Sequence, residues 1–371
     1  MPRKVREFAA FILLLAHVAG CARQVVTEPV ATRPAPPPAP IPHQGYTPRD
    51  QANRPSHPVA TAGSRVYKLE FVTDFLVKKN DQGSRLSARL FLPPDTDSQR
   101  VLEWTLQPAP SFQAATQCGY RQEFLDLGVV AAGTSRRLTY RATVEMRPIR
   151  YPLDPQRVGA LTDIPAQIRA AYLGDSPVYK IHSPVVQEQA LAASAHRGPL
   201  DALLGIWLQT RARIRYREGF APNAEVVLLK GQGNCAGVSH AIVAQCRAIG
   251  IPARLTAGSI IGAKRPGETT VDRTFHDTAE AYLPGYGWIP LESTMGWRIS
   301  PVLMRRVGFG AESGYLFHFM YELENVPIPG RIVFWNSRDL PDVSMDRRAT
   351  WTLVSQEGPV WEENPGYAED H

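Results

Sequence analysis

The sequence predicts an α+β protein in which an antiparallel β-sandwich precedes a core of helices and strands. Three observations carry this reading. Apolar residues alternate with polar ones between residues 65 and 150, the period of half-buried strands. They recur at three and four residues in two later stretches, the period of amphipathic helices. The second of those helices is followed by strand-like segments joined by a tight turn, an order that excludes a doubly wound sheet.

The chain opens with Arg3, Lys4 and Arg6, runs through an apolar stretch from Phe8 to Ala16, and reaches Val18-Ala19-Gly20-Cys21. Residues 1–20 read as a secretory signal whose apolar run is too short to cross a bilayer, and no later stretch approaches the ~20 apolar residues a transmembrane helix needs. Val18-Ala19-Gly20-Cys21 resembles the lipobox of bacterial lipoproteins, which implies that Cys21 is diacylated and becomes the first residue of the mature chain. An ordinary signal peptide that leaves Cys21 as a spare thiol is the alternative. Ala22 in place of Asp implies an outer-membrane lipoprotein facing the periplasm. Cleavage removes three basic residues and Glu7, so the formal charge of +6 falls to +4. Without a Lys/Arg cluster interleaved with aromatics, this mild charge excludes a nucleic-acid partner and leaves the lipid as the contact with the membrane.

Residues 21–64 hold ten prolines after Cys21 and no apolar periodicity, the composition of an extended tether. Strands are predicted around Tyr67, Leu69 and Phe71, around Leu86, Ala88, Leu90 and Leu92, around Leu102, Trp104 and Leu106, and around Leu138, Tyr140, Ala142 and Val144. Turn clusters such as Asn80-Asp81-Gln82-Gly83 separate them, so 65–150 forms a sandwich that serves as a spacer or a docking module. Residues 151–185 read as a linker with a short helix at 166–172.

A helix follows with Leu200, Leu203, Leu204, Trp207 and Leu208 on one face. A second runs from Cys235 to about Ile249, buries Val238, Ile242, Val243, Cys246 and Ile249, and stops at Gly250 and Pro252. Strands at 253–261, 275–283 and 288–292 complete the core, which spans 151–300. The β-rich extension 301–371 offers strands at 315–321, 331–335 and 350–354 and no evident chemistry. The four cysteines are not a disulfide framework; Cys118 and Cys246 read as separate core thiols, with a bridge between them as the alternative.

Gly231-Gln232-Gly233-Asn234-Cys235 carries the chemistry. Two glycines permit a tight turn and Asn234 suits an N-cap. Cys235 then sits in the first turn of a helix, where backbone N–H groups and the dipole favour a thiolate. A thiolate catalyst needs a base that later protonates the leaving amine, and His276 at the start of a strand is the candidate. The returning strand ends at Glu292, whose carboxylate is within reach to orient the imidazole. A metal site built from Cys235, His240 and Cys246 is excluded by helical geometry, and no cofactor motif is present.

Gly233-Asn234-Cys235-Ala236-Gly237, Gly250-Ile251-Pro252-Ala253-Arg254, His276-Asp277-Thr278-Ala279-Glu280-Ala281-Tyr282 and Gly287-Trp288-Ile289-Pro290-Leu291-Glu292 together resemble the transglutaminase-like superfamily of papain-like thiol enzymes over about 185–295. The resemblance implies a papain-like core with Cys235, His276 and Glu292 as triad, although the family usually places Asp where Glu292 stands. By analogy Gln232 and the Cys235 N–H would line an oxyanion hole, while Gln232 also reads as an exposed turn residue. Three functions follow as expectations: an amide hydrolase acting on envelope proteins or peptides, a transglutaminase that passes the same thioester to an amine, or a non-catalytic envelope scaffold.

Overall fold

A computed structural model describes residues 41–42, 60–115, 120–195, 198–220, 222–294, 308–322, 333–336 and 342–358. The signal, the lipobox with Cys21, most of the proline-rich tether and Cys118 lie outside the described residues.

Strands are numbered where they span four residues or more. The first six are β1 (Ser64–Lys79), β2 (Arg85–Phe91), β3 (Gln99–Gln107), β4 (Phe112–Ala115), β5 (Arg121–Val129) and β6 (Ser135–Met146). Their period-two residues face one another across two sheets: Tyr67, Leu69 and Phe71 from β1, Leu86 and Leu90 from β2, and Leu138, Tyr140 and Val144 from β6 are all buried in one cluster. Each such side chain contributes roughly 1.5–3 kcal/mol of burial. In β3 the expected inward residue Leu102 is displaced. The register shifts between Val101 and Glu103, so a bulge takes up Leu102 and Val101 fills the core position.

The helices are α1 (Ala166–Tyr172), α2 (Pro184–Ser194), α3 (Pro199–Arg213), α4 (Ala224–Lys230) and α5 (Cys235–Ala248). On α3 the buried stripe runs through Leu200, Leu203, Ile206, Trp207 and Thr210. It is turned from the expected face, because Leu208 is exposed and Ile206 replaces it. Nor does α5 have one buried side: every residue from Ala236 to Arg247 is buried. Strands cover one flank and α2, α3 and α4 the rest. It ends as its sequence demands. Gly250 takes φ 84°, its N–H donates to Arg247 O, and Ile251 N–H donates to Cys246 O, the paired bonds of a Schellman cap.

After α5 come β7 (Ala253–Ile260), β8 (Thr269–Asp272), β9 (His276–Leu283), β10 (Gly287–Leu291), β11 (Leu316–Tyr321), β12 (Val333–Asn336) and β13 (Asp342–Glu357). The core sheet is antiparallel in the order β10-β9-β7-β11. Arg254 of β7 lies opposite Glu280 of β9 and forms a buried ion pair with it at 2.7 Å, stacked 3.9 Å from the Trp288 ring centre.

Segment 301–371 is shared between the two halves. β11 joins the core sheet, β12 pairs with β2, and β13 lies between β1 and β8 in a six-stranded sheet ordered Ile41–Pro42, β3, β6, β1, β13, β8. The sandwich cluster takes in Ile261, Ala263, Tyr315, Phe317 and Phe319 from around the core sheet. The described residues from 60 onward accordingly fall in one compact unit.

Candidate active site

Each residue of the Gly231–Cys235 turn has a mechanical task. Gly231 ends α4 in the left-handed region at φ 60°. Gln232 and Gly233 pair in parallel with Arg215 and Tyr216. Asn234 caps α5, its side-chain oxygen accepting from Gly237 N–H at 3.1 Å. Cys235 is thereby fixed as the first residue of the helix and is partly exposed, at the end of the dipole that favours negative charge.

His276 opens β9, and the register explains its carboxylate partner. Ala279 lies opposite Leu291, so Glu292, the next residue, comes opposite Thr278 and diagonal to His276. His276 Nε2 donates to the two oxygens of Glu292 at 3.1 and 3.2 Å, and the Cys235 side chain lies near enough to act electrostatically on the same ring. Burial disfavours the imidazolium, but Glu292 and Cys235 outweigh burial and hold His276 well above its ordinary value. Glu292, though longer than aspartate, is held firmly: Thr294 N–H donates to its Oε1 at 2.8 Å, and Trp207 Nε1 donates to its carbonyl at 2.7 Å. Arg211 donates to the neighbouring Ser293 carbonyl, and burial lowers its guanidinium to about 10.

Tyr216 is a residue that sequence reasoning missed. Burial, then the charges of Cys235 and Glu218, push its phenol upward, which keeps the hydroxyl protonated. Nineteen positions separate the two in sequence, and only the parallel pairing to Gly233 joins them. The amide oxygen of Gln232 accepts from Arg217 Nη1 at 3.2 Å, which leaves the amide nitrogen as its donor. Asp277, next to His276, is pushed up to about 6 by burial, against the opposing pull of His276 and Arg347.

Cys246 and His240, both on α5, stand apart from this chemistry. Burial pushes Cys246 up to about 12. His240, whose Nδ1 donates to the Pro222 carbonyl at 3.3 Å, is lowered by burial to about 4. Among the described residues no group of three or more His, Cys, Asp or Glu is placed to hold a metal ion, and no helix is long and apolar enough to cross a membrane.

A central helix opened by a partly exposed cysteine, against an antiparallel sheet that presents histidine and a carboxylate, defines the papain-like class of thiol-enzyme folds. Residues 189–293 match the family model of the transglutaminase-like superfamily. Among solved structures, a protein from Cytophaga hutchinsonii described as a candidate cysteine protease is similar, with a TM-score of 0.58 and 17% identity over 84% of this chain and 98% of that one. That likeness establishes the fold across both halves of the molecule. The ethylmercury-bound periplasmic domain of TgpA from Pseudomonas aeruginosa is more distant, with a TM-score of 0.33 and 18% identity over 70% of this chain and 88% of that one. No curated protein matches the chain.

Proposed function

We propose that this protein is a thiol-dependent amide hydrolase of the bacterial envelope, anchored through a lipid on Cys21 and acting on protein or peptide substrates. The observation that carries the reading is the junction of His276 with both Cys235 and Glu292. His276 takes the thiol proton, and the imidazolium that results is held by Glu292. The sulfur attacks the amide carbonyl. The oxyanion that develops is met by the Cys235 N–H, the Tyr216 hydroxyl and the Gln232 amide. His276 then returns the proton to the leaving amine, a thioester remains, and water activated by the same imidazole releases the acid.

The superfamily match favours a second reading of the same intermediate, in which a lysine-type amine replaces water and cross-links two partners. A non-catalytic scaffold is the reading that an inert thiol would support. The test treats the mature protein, Cys235→Ala and His276→Ala with iodoacetamide at pH 6 and 8.5, and maps the alkylated cysteine. Rapid labelling of Cys235 at pH 6 that slows without His276 is expected; slow labelling indifferent to His276 would overturn the enzymatic reading. A glutaminyl peptide offered with a primary amine then separates the two chemistries by whether acid or new amide forms.

A further inference from the structure

Phe275, immediately before His276, has φ 56°, a left-handed conformation that is an outlier for a bulky side chain. Two anchors hold it there. The first is Asp272, the last residue of β8. Its Oδ1 accepts from Thr274 N–H at 2.9 Å, Thr274 Oγ1 at 3.1 Å and Phe275 N–H at 3.1 Å. Its Oδ2 accepts from Ser259 Oγ at 2.8 Å and Ile260 N–H at 3.0 Å, and Trp351 of β13 donates its indole N–H to that same serine oxygen at 2.9 Å.

The second anchor is the ring of Phe275. It packs edge-on against Phe71 of β1 at 5.8 Å and Phe319 at 6.4 Å, beneath the guanidinium of Arg347 at 5.0 Å. Phe71 and Arg347 belong to the sandwich strands β1 and β13. A turn that only reversed the chain would place glycine or asparagine in this conformation. Phenylalanine is kept in it where its ring reaches the sandwich and its carbonyl carbon leads directly into His276.

We propose that Asp272 and Phe275 are positioning residues for the general base, through which the β-sandwich sets the His276 imidazole against Cys235. The proposal rests on the Cys235–His276 reading above. Neither residue touches the reacting atoms. Asp272 fixes the backbone of the turn, and Phe275 ties that turn to a core built in the other half of the molecule. The sandwich is then part of the machinery that sets the base, beyond any role as spacer.

The test is the pH dependence of Cys235 alkylation by iodoacetamide in the mature protein, for wild type, Asp272→Ala, Asp272→Asn and Phe275→Ala, each also combined with His276→Ala. Displacing a catalytic group by about 1 Å costs up to ~100-fold, so Asp272→Ala and Phe275→Ala are expected to slow labelling at pH 6 by about tenfold or more. Their pH profiles should move toward that of His276→Ala, with Asp272→Asn in between. In the His276→Ala background neither change should slow labelling further. A folded Asp272 variant that labels like wild type, or one whose loss persists unchanged without His276, overturns the positioning role. Should Asp272→Ala fail to fold, the isosteric Asp272→Asn decides by the same criteria. If His276→Ala itself labels like wild type at pH 6, the thiol–imidazole reading falls and this proposal falls with it.

Discussion

At the scale of the residue, the site is governed by buried charge. His276 titrates above its ordinary value because Glu292 and Cys235 outweigh burial. The sign follows: stability drawn from that ion pair is fully present below the unfolded value of 6.5 and is lost as pH rises through the raised folded value. Glu292→Gln leaves burial less opposed, so the alkaline limb of the activity profile should move to lower pH, read from kcat/KM against pH. Asp277 runs differently. Its folded value of about 6 exceeds the model-peptide 3.8, so it stabilises the fold only in acid and opposes it above pH 6. Asp277→Asn should therefore raise stability at pH 8 by about 1–3 kcal/mol and lose that advantage at pH 4, as urea midpoints would show. Cys235, His276 and Glu292 were legible in the sequence because turn, cap and strand signals are local. Tyr216 and Asp272 were not, because the partners of each are brought near only by the fold.

At the scale of the element, the strands around His276 tolerate little change. Gly258 of β7 pairs with His276, and a Cβ there would stand 2.5 Å from the Phe317 carbonyl oxygen and 2.9 Å from Leu316 Cδ1. The clash is with backbone, which has nowhere to move. Gly258→Ala should cost about 1–3 kcal/mol in a denaturant titration and slow Cys235 labelling at pH 6. Short apolar elements were read closely from sequence, α1 at 166–172 among them. The long β13 was foreseen only at 350–354, because Asp346, Arg347 and Arg348 interrupt the apolar alternation where the strand is only partly buried. Its extent is set by pairing with β1 from Ser64 to Lys79, a partner far away in the chain. The bulge at Leu102 escaped for a related reason, since a one-residue slip is written in the partner strand and not in local alternation.

At the scale of the whole molecule, the two halves are interlocked. β13 is an interior strand of the sandwich sheet, flanked by β1 on one side and by β8, the strand that leads to His276, on the other. Deleting residues 342–371 should leave β1 unpaired on one side and expose the Trp351 contact surface, so the remainder is expected to lose cooperative unfolding rather than persist as a free catalytic domain. Circular dichroism melts of the truncated and full chains check this. The same closure bears on how the molecule comes into being. Ser64 faces Glu357 and Lys79 faces Asp342, so the largest sheet waits on a strand more than 250 residues further along the chain. Contacts so distant along the chain make folding slow. In a refolding experiment, the appearance of a reactive Cys235 and the docking of β13 should then share one rate constant: the thiol is armed only when β1 and β13, nearly three hundred residues apart, have met.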